Sequence, residues 1–232
     1  MTLVAEGASV RHYPFRLLLT AVVSLLPFVA PAMAQDWNAA GAEVWRATLE
    51  RNPPLRDPFF NREVGSVAIR LLDAWEPAIT GDDWQVAILE RDEPVAFLLP
   101  GGRLGVSVGL FDLLENQDQL AGILAHEIAH LALRHTEARA ERALATQLAG
   151  PGREIAALRR ATFEQAAVPF TAQEEASADR LALEVLARAG FDPREALWLN
   201  EHLGEVEDTL GFARLHAKPT LRAAIIREAV GR

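Results

Sequence analysis

Cysteine is absent from this 232-residue sequence. No disulfide or thiolate metal site can form, so any bound metal must be held by His, Asp or Glu. Positive charge is scarce. Lys and Arg number 23 against 32 Asp and Glu, a net charge of −9, which argues against nucleic acid as a partner. Internal repeats and low-complexity segments are missing too. Past residue 30 no apolar run is long enough to span a bilayer, which takes about 20 residues. The chain that remains is 50% apolar and 24% charged, ordinary for one globular domain with a core.

The apolar run that does occur is at the start: Leu17 to Ala30, preceded by Arg11, His12 and Arg16. Ala32 and Ala34 follow in the A-x-A pattern that signal peptidase reads. Residues 1–34 are therefore expected to be a signal peptide, leaving a mature domain at 35–232 in the periplasm or secreted. An uncleaved membrane anchor is the alternative. The run is short for a span, and Pro27 and Pro31 interrupt it.

Along the mature chain, helical spacing covers 36–51 and 59–75, so residues 35–80 form N-terminal helices. Short β segments are expected at 84–90, 94–100 and 103–108, with "RDE" and "GG" as turns between them. Pro94 and Pro100 put the middle one at the border or edge of this sheet, 84–108. Helical pattern resumes at 110–116, then runs as one long helix over 118–148 until "GPG" at 150–152. Another helix is expected at 153–168. Thr171 and Glu174 make a capping box for a helix at 172–189, which Gly190 ends and Pro193 follows. Two more helical pieces flank "HAKPT". The fold class is α+β, mainly helical, with a small three-stranded sheet.

Chemistry concentrates in "AGILAHEIAHLALRH". His126 and His130 lie four residues apart, about 40° apart on one helical face. Both imidazoles can reach one ion at about 2.0 Å, the usual zinc–nitrogen distance. Glu127 flanks that face. It is too near in sequence to be an easy third ligand but well placed as a base for water, the H-E-x-x-H arrangement. Three fixed positions arise often by chance. Here they sit among Ala, Leu and Ile, where polar side chains are costly unless paired or metal-bound.

A catalytic zinc takes three protein ligands and an open position. His135 is expected to face away, about 180° round the helix from His126, in a structural role. The pattern H-E-x-x-H-x-x-G-x-x-H is excluded by Leu133 and Thr136. "QEEASADRLAL" offers Glu175 and Asp179 on one face of a second helix. Glu175 is expected as the third ligand, with Glu174 its bland neighbour. Asp179 is expected to accept the free N–H of a ligand His.

These blocks resemble the M48 family of zinc metallopeptidases, of the gluzincin class, from about Phe60 to Arg227. "VAFLLPGGRLGVSVGLFDLLENQDQLAGILAHEIAHLALRH" matches the family's longest block. "EASAD" matches its E-x-x-A-D ligand motif and selects Glu175, "LARAGFDP" matches L-x-R-A-G-Y-D-P, and "LHAKPTLR" aligns His216 and Arg222 with a C-terminal motif. The resemblance implies a zincin-like domain with one Zn²⁺ held by His126, His130 and Glu175. It makes Glu127 the catalytic base, and His216 or Arg222 an aid to the oxyanion. His216 is also implied as a gate that closes onto zinc. The strand at Ala96, Phe97 and Leu98 is the implied substrate edge. Val95 replaces the family's Asn there, which removes a side-chain anchor but spares main-chain pairing. A compact form without a repeat domain is implied.

The expected function is a zinc-dependent endopeptidase acting on unfolded or misassembled envelope proteins. The alternatives are a metal-stabilised chaperone or adaptor with little hydrolysis, or a zinc amidase acting on cell-wall peptides.

Overall fold

The computed structural model describes residues 36–75, 84–147, 168–205, 216 and 218–231. They belong to one compact unit, Asp36–Arg232. The expected signal peptide, residues 76–83, the break expected at 150–152 and nearly all of the helix expected at 153–168 lie outside the described residues.

Helix α1 (Trp37–Arg51) starts where the Asp36 side chain accepts from the Ala39 N–H at 2.9 Å. It ends ahead of Pro53 and Pro54, which cannot continue a helix. Helix α2 (Pro58–Asp73) is capped by Asp57 and has Pro at its first position, where a missing N–H costs nothing. It buries Val64, Val67, Ala68 and Leu71.

Strands β1 (Gln85–Leu89), β2 (Ala96–Leu99) and β3 (Arg103–Ser107) form one sheet in the order β1-β3-β2. β2 lies at an edge and runs antiparallel to β3 through the tight Gly101–Gly102 turn. Both glycines have φ near +80° (81° and 75°), a region open to glycine at little cost. The "RDE" stretch is not a hairpin turn, because β1 pairs with β3 in parallel. It carries the chain past the end of β3, where the Gly109 N–H donates to Arg91 O at 3.0 Å. A Cβ on Gly109 would stand 1.8 Å from Asp92 O, so this crossing demands glycine. The outer edge of β1 is covered by 53–55, with Leu55 N–H to Ile88 O at 2.7 Å and Glu90 N–H to Pro53 O at 3.1 Å.

Both faces of the sheet carry packed apolar side chains, with only the start of β1 exposed. Ile88, Ala96, Leu98, Leu104 and Val106 join the main core, and Ala87, Leu89 and Leu99 pack with Val44 and Trp45 of α1. A 3₁₀ helix, Val108–Leu113, then leads to α3 (Gln117–Ala132), capped by Asn116. Every residue of α3 from Gln119 to Leu131 is buried. A helix apolar all round must be enclosed, and α3 packs against α2, β2 and the later helices.

The single long helix expected over 118–148 is broken. α3 ends at Ala132 and α4 (His135–Gln147) begins after a two-residue bend. Arg134 has φ +59°, the left-handed conformation that stops a helix at this point. The cause is local: Arg134 N–H bonds back to Leu131 O at 2.9 Å and closes the last turn. Helix α5 (Ala172–Arg188) opens with the Thr171–Glu174 capping box and is followed by Gly190 at φ +75°. Helices α6 (Pro193–Glu205) and α7 (Pro219–Val230) complete the described fold. It is a mainly helical α+β domain with one small three-stranded sheet.

Candidate metal centre

α3 presents His126, Glu127 and His130 inward, and α5, packed across it, presents Glu175 and Asp179. His216, just ahead of α7, and Arg222, within it, enter from a third direction. None of these seven side chains is more than 5% exposed. Seven ionisable groups in so dry a place need partners or an ion.

Donor atoms of His126, His130, Glu175 and His216 all lie within 4.8 Å of one another. His126 Nε2 is 3.0 Å from His130 Nε2 and 3.2 Å from His216 Nδ1. Glu175 is 3.6 Å from each of the motif imidazoles, and its Oε1 is 3.1 Å from His216 Nδ1. Ligands about 2.0–2.1 Å from a tetrahedral ion stand about 3.3 Å from each other, which these separations bracket. Glu175 Oε2 is buried without a hydrogen bond. The donor set is all N and O. It fits a small divalent cation such as zinc.

His126 Nδ1 lies 2.9 Å from Asp179 Oδ1. A proton on Nδ1 donated to that carboxylate leaves the Nε2 lone pair facing the other donors. Asp179 is in turn gripped by Arg222, whose Nη2 is 2.7 Å from Oδ1 and whose Nε is 3.2 Å from the same oxygen. Burial alone would raise the Asp179 pKa. Arg222 and His126 outweigh it and hold the carboxyl well below its ordinary value. Arg222, expected as an oxyanion contact, is thus committed to Asp179, with Glu175 Oε2 at 3.6 Å from its Nε.

His216 bridges the other donors to Glu127. Its Nε2 is 3.1 Å from Glu127 Oε1 and its Nδ1 is 3.1 Å from Glu175 Oε1. Burial opposes charge on this ring, but Glu127 and Glu175 prevail and raise its pKa to about 9. A cation among these groups competes with that proton. His130 has the opposite bias: burial and the neighbouring His126 and His216 push its pKa down, which favours the neutral, ligating form.

The family model for Peptidase family M48 matches residues 61–228. The chain belongs to peptidase family M48. It is 31% identical over 158 residues to the beta-barrel assembly-enhancing protease of Escherichia coli (strain K12), covering 61% of this chain and 32% of that protein. It is 30% identical over 158 residues to the mitochondrial metalloendopeptidase OMA1 of Schizosaccharomyces pombe, covering 62% and 46%. The chain thus spans about a third to a half of the length of these curated relatives.

Around the M48 motif helix, the bend at Arg134 changes one expectation. His135 does not face away. α4 turns back, and His135 Nδ1 comes to 3.2 Å from His130 Nδ1. His202 is remote, stacked on Trp198 with its Nδ1 2.9 Å from Trp198 O. Phe170 and Arg139 are neighbours of the site that no sequence signal marked. Phe170 stacks on the His130 ring, and the Arg139 guanidinium lies over Phe170.

The M48 edge strand β2 packs against α3. Among the described residues no further strand pairs with its outer side. Its side chains are occupied: Ala96 and Leu98 are in the core, and Phe97 packs edge-on against Trp45 at 6.3 Å. Val95 is buried too, with its N–H donating to Ser107 Oγ at 2.8 Å. The main-chain groups on the outer side of β2, together with the half-buried Phe97, are what this strand offers a ligand.

Proposed function

We propose that this chain is a zinc-dependent endopeptidase, exported to the periplasm after loss of residues 1–34, that cleaves unfolded or misassembled envelope proteins. The observation that carries the reading is the converging set of His126, His130, Glu175 and His216 donors with a carboxylate, Glu127, beside it. A purely structural site needs no such base. Among the described residues no helix is long and apolar enough to cross a membrane. The two relatives above are named as a protease and a metalloendopeptidase.

His126, His130 and Glu175 would hold the ion. Bound there, zinc supplies Lewis acidity for water and for the scissile carbonyl. Glu127 takes the proton from the attacking water and hands it to the leaving amine. Asp179 sets the tautomer and plane of His126, and Arg222 keeps Asp179 ionised and in place. The outer edge of β2 receives an extended segment by main-chain pairing. That mode suits unfolded chain, which has free backbone to offer.

His216 stands between the donors and Glu127, where water would be needed. We read this arrangement as a closed site, from which His216 would withdraw for hydrolysis. The same imidazole, once released, would be a donor available to the oxyanion.

Two experiments test the proposal. Purified protein is incubated with an unfolded protein and, separately, with purified peptidoglycan. Cleavage of the protein alone is expected. Cleavage of peptidoglycan alone would indicate an amidase, and no cleavage of either a chaperone-like role. Comparing periplasmic peptides from cells making the native chain or Glu127→Gln then identifies the substrates.

A further inference from the structure

The two motif histidines are supported differently. His126 has a carboxylate on its free nitrogen, Asp179 at 2.9 Å. His130 has the His135 imidazole at 3.2 Å instead, an uncharged and weaker orienting partner. What His130 has in addition is a flat face. The Phe170 ring lies 3.6 Å from it, centroid to centroid, at an interplanar angle of 22°.

Phe170 is itself pinned. It directly precedes Thr171, the cap of α5, and it is buried. The guanidinium carbon of Arg139 sits 4.0 Å from its ring centroid. Arg139 lies one turn after His135 on α4. It is only 4% exposed, and its Nε has no hydrogen-bond partner. Burying a guanidinium is costly, and the mechanism above makes no use of this one. Its compensations are the aromatic face, which attracts a desolvated cation, and the nearby carboxylates of Glu127 and Glu175.

We propose that Phe170, clamped by Arg139, is the positioning residue of His130: the stack fixes the plane of that imidazole as Asp179 fixes the plane of His126. The proposal rests on reading the donor cluster as a metal site. α4 supplies the clamp because the bend at Arg134 brings its first turns back to the centre. A ligand ring free to tilt about its side-chain torsions would loosen the ion without changing which atoms bind it.

The test uses the full chain loaded with Zn²⁺, and with Co²⁺ for spectroscopy. Phe170→Leu keeps an apolar side chain but removes the flat face. Arg139→Met removes the cation, and Arg139→Lys keeps charge without a planar group. Zinc dissociation, followed with a chromogenic chelator, is expected to quicken about 10–100-fold in Phe170→Leu. A smaller increase is expected in both Arg139 variants, with the visible Co²⁺ bands shifted in all three. Phe170→Tyr should restore both readouts. Should Phe170→Leu not fold, the Arg139 variants decide by the same measurements. Unchanged dissociation and Co²⁺ bands alongside a lowered melting temperature would mean that the stack only fills space, and would overturn the proposal. A native chain that takes up neither ion overturns the metal reading itself, and the positioning role with it.

Discussion

Asp179 touches both His126 and Arg222, with Oδ1 2.9 Å from His126 Nδ1 and 2.7 Å from Arg222 Nη2. One buried carboxylate thereby ties the motif helix to α5 and α7. It has two contacts to serve, one that would orient the His126 imidazole and one that neutralises the buried Arg222 guanidinium.

Asp179→Asn keeps the shape of that contact but removes its charge. Zinc affinity or kcat/KM should fall about 10–100-fold. Asp179→Asn and Arg222→Met should each also cost several kcal/mol of stability, because each leaves the other partner buried without its counter-charge, but only Asp179→Asn removes the group that touches His126. Urea unfolding of the two variants, with zinc titration of each, separates the two contacts.

Glu174 and Glu175 are adjacent in sequence and face different partners, Arg142 and the histidine cluster. Glu174 faces Arg142, with two contacts of 2.8 Å, and closes the capping box of α5. Glu174→Gln should cost no more than about 1 kcal/mol and retain metal. Glu175→Gln should lose most of the metal. Metal content after dialysis checks both, and a result in which Glu174 mattered and Glu175 did not would move the ligand by one position.

His216 imposes opposite pH trends on the metal-stripped and the loaded protein. Its pKa is raised to about 9 in the fold from about 6.5 when unfolded. The folded state therefore binds more protons between these values. The stability this contributes is complete below about pH 6.5 and disappears as pH rises through 9. Metal uptake requires the proton to leave, so loading should strengthen over the same range. Thermal melts from pH 6 to 10 are expected to show the stripped protein weakening and the loaded protein not. In His216→Gln the stripped protein should lose its slope.

Arg134 adopts the left-handed conformation without being glycine, which costs about 1–2 kcal/mol. Its side chain is exposed and only 4.0 Å from Glu137 at best, so little compensates. Arg134→Gly should raise stability by up to about 1 kcal/mol. Arg134→Val, β-branched, should lower it by more than 1 kcal/mol. Denaturant midpoints of both measure the strain.

Glu127→Gln should keep zinc and lose nearly all hydrolysis, since it removes the base and no ligand. His126→Ala should lose both. Metal analysis of the purified variants, beside a peptide-cleavage assay, distinguishes base from ligand.

How much of this was legible in the sequence depends on how local each feature is. A helix advances by a fixed angle per residue. The shared face of His126 and His130, the flanking place of Glu127 and the pairing of Glu175 with Asp179 therefore follow from spacing alone. The caps at Thr171 and Gly190 and the edge position of β2 are likewise written in single residues with narrow backbone preferences. The parallel pairing of β1 with β3 was not legible, because it depends on which strand edges the 53–55 segment and the Gly101–Gly102 turn leave free. The bend at Arg134 was hidden as well: the run from Asp118 to Leu148 has no Pro, its one Gly, Gly122, lies well inside α3, and the break is made by a residue in a strained conformation. That one turn reverses the sense of α4, brings His135 to His130, and delivers Arg139 to Phe170. Spacing determined which side chains share a helical face. Packing between helices decided which faces meet, since a close-packed, dry interior accepts buried charge only where partners from distant segments arrive together.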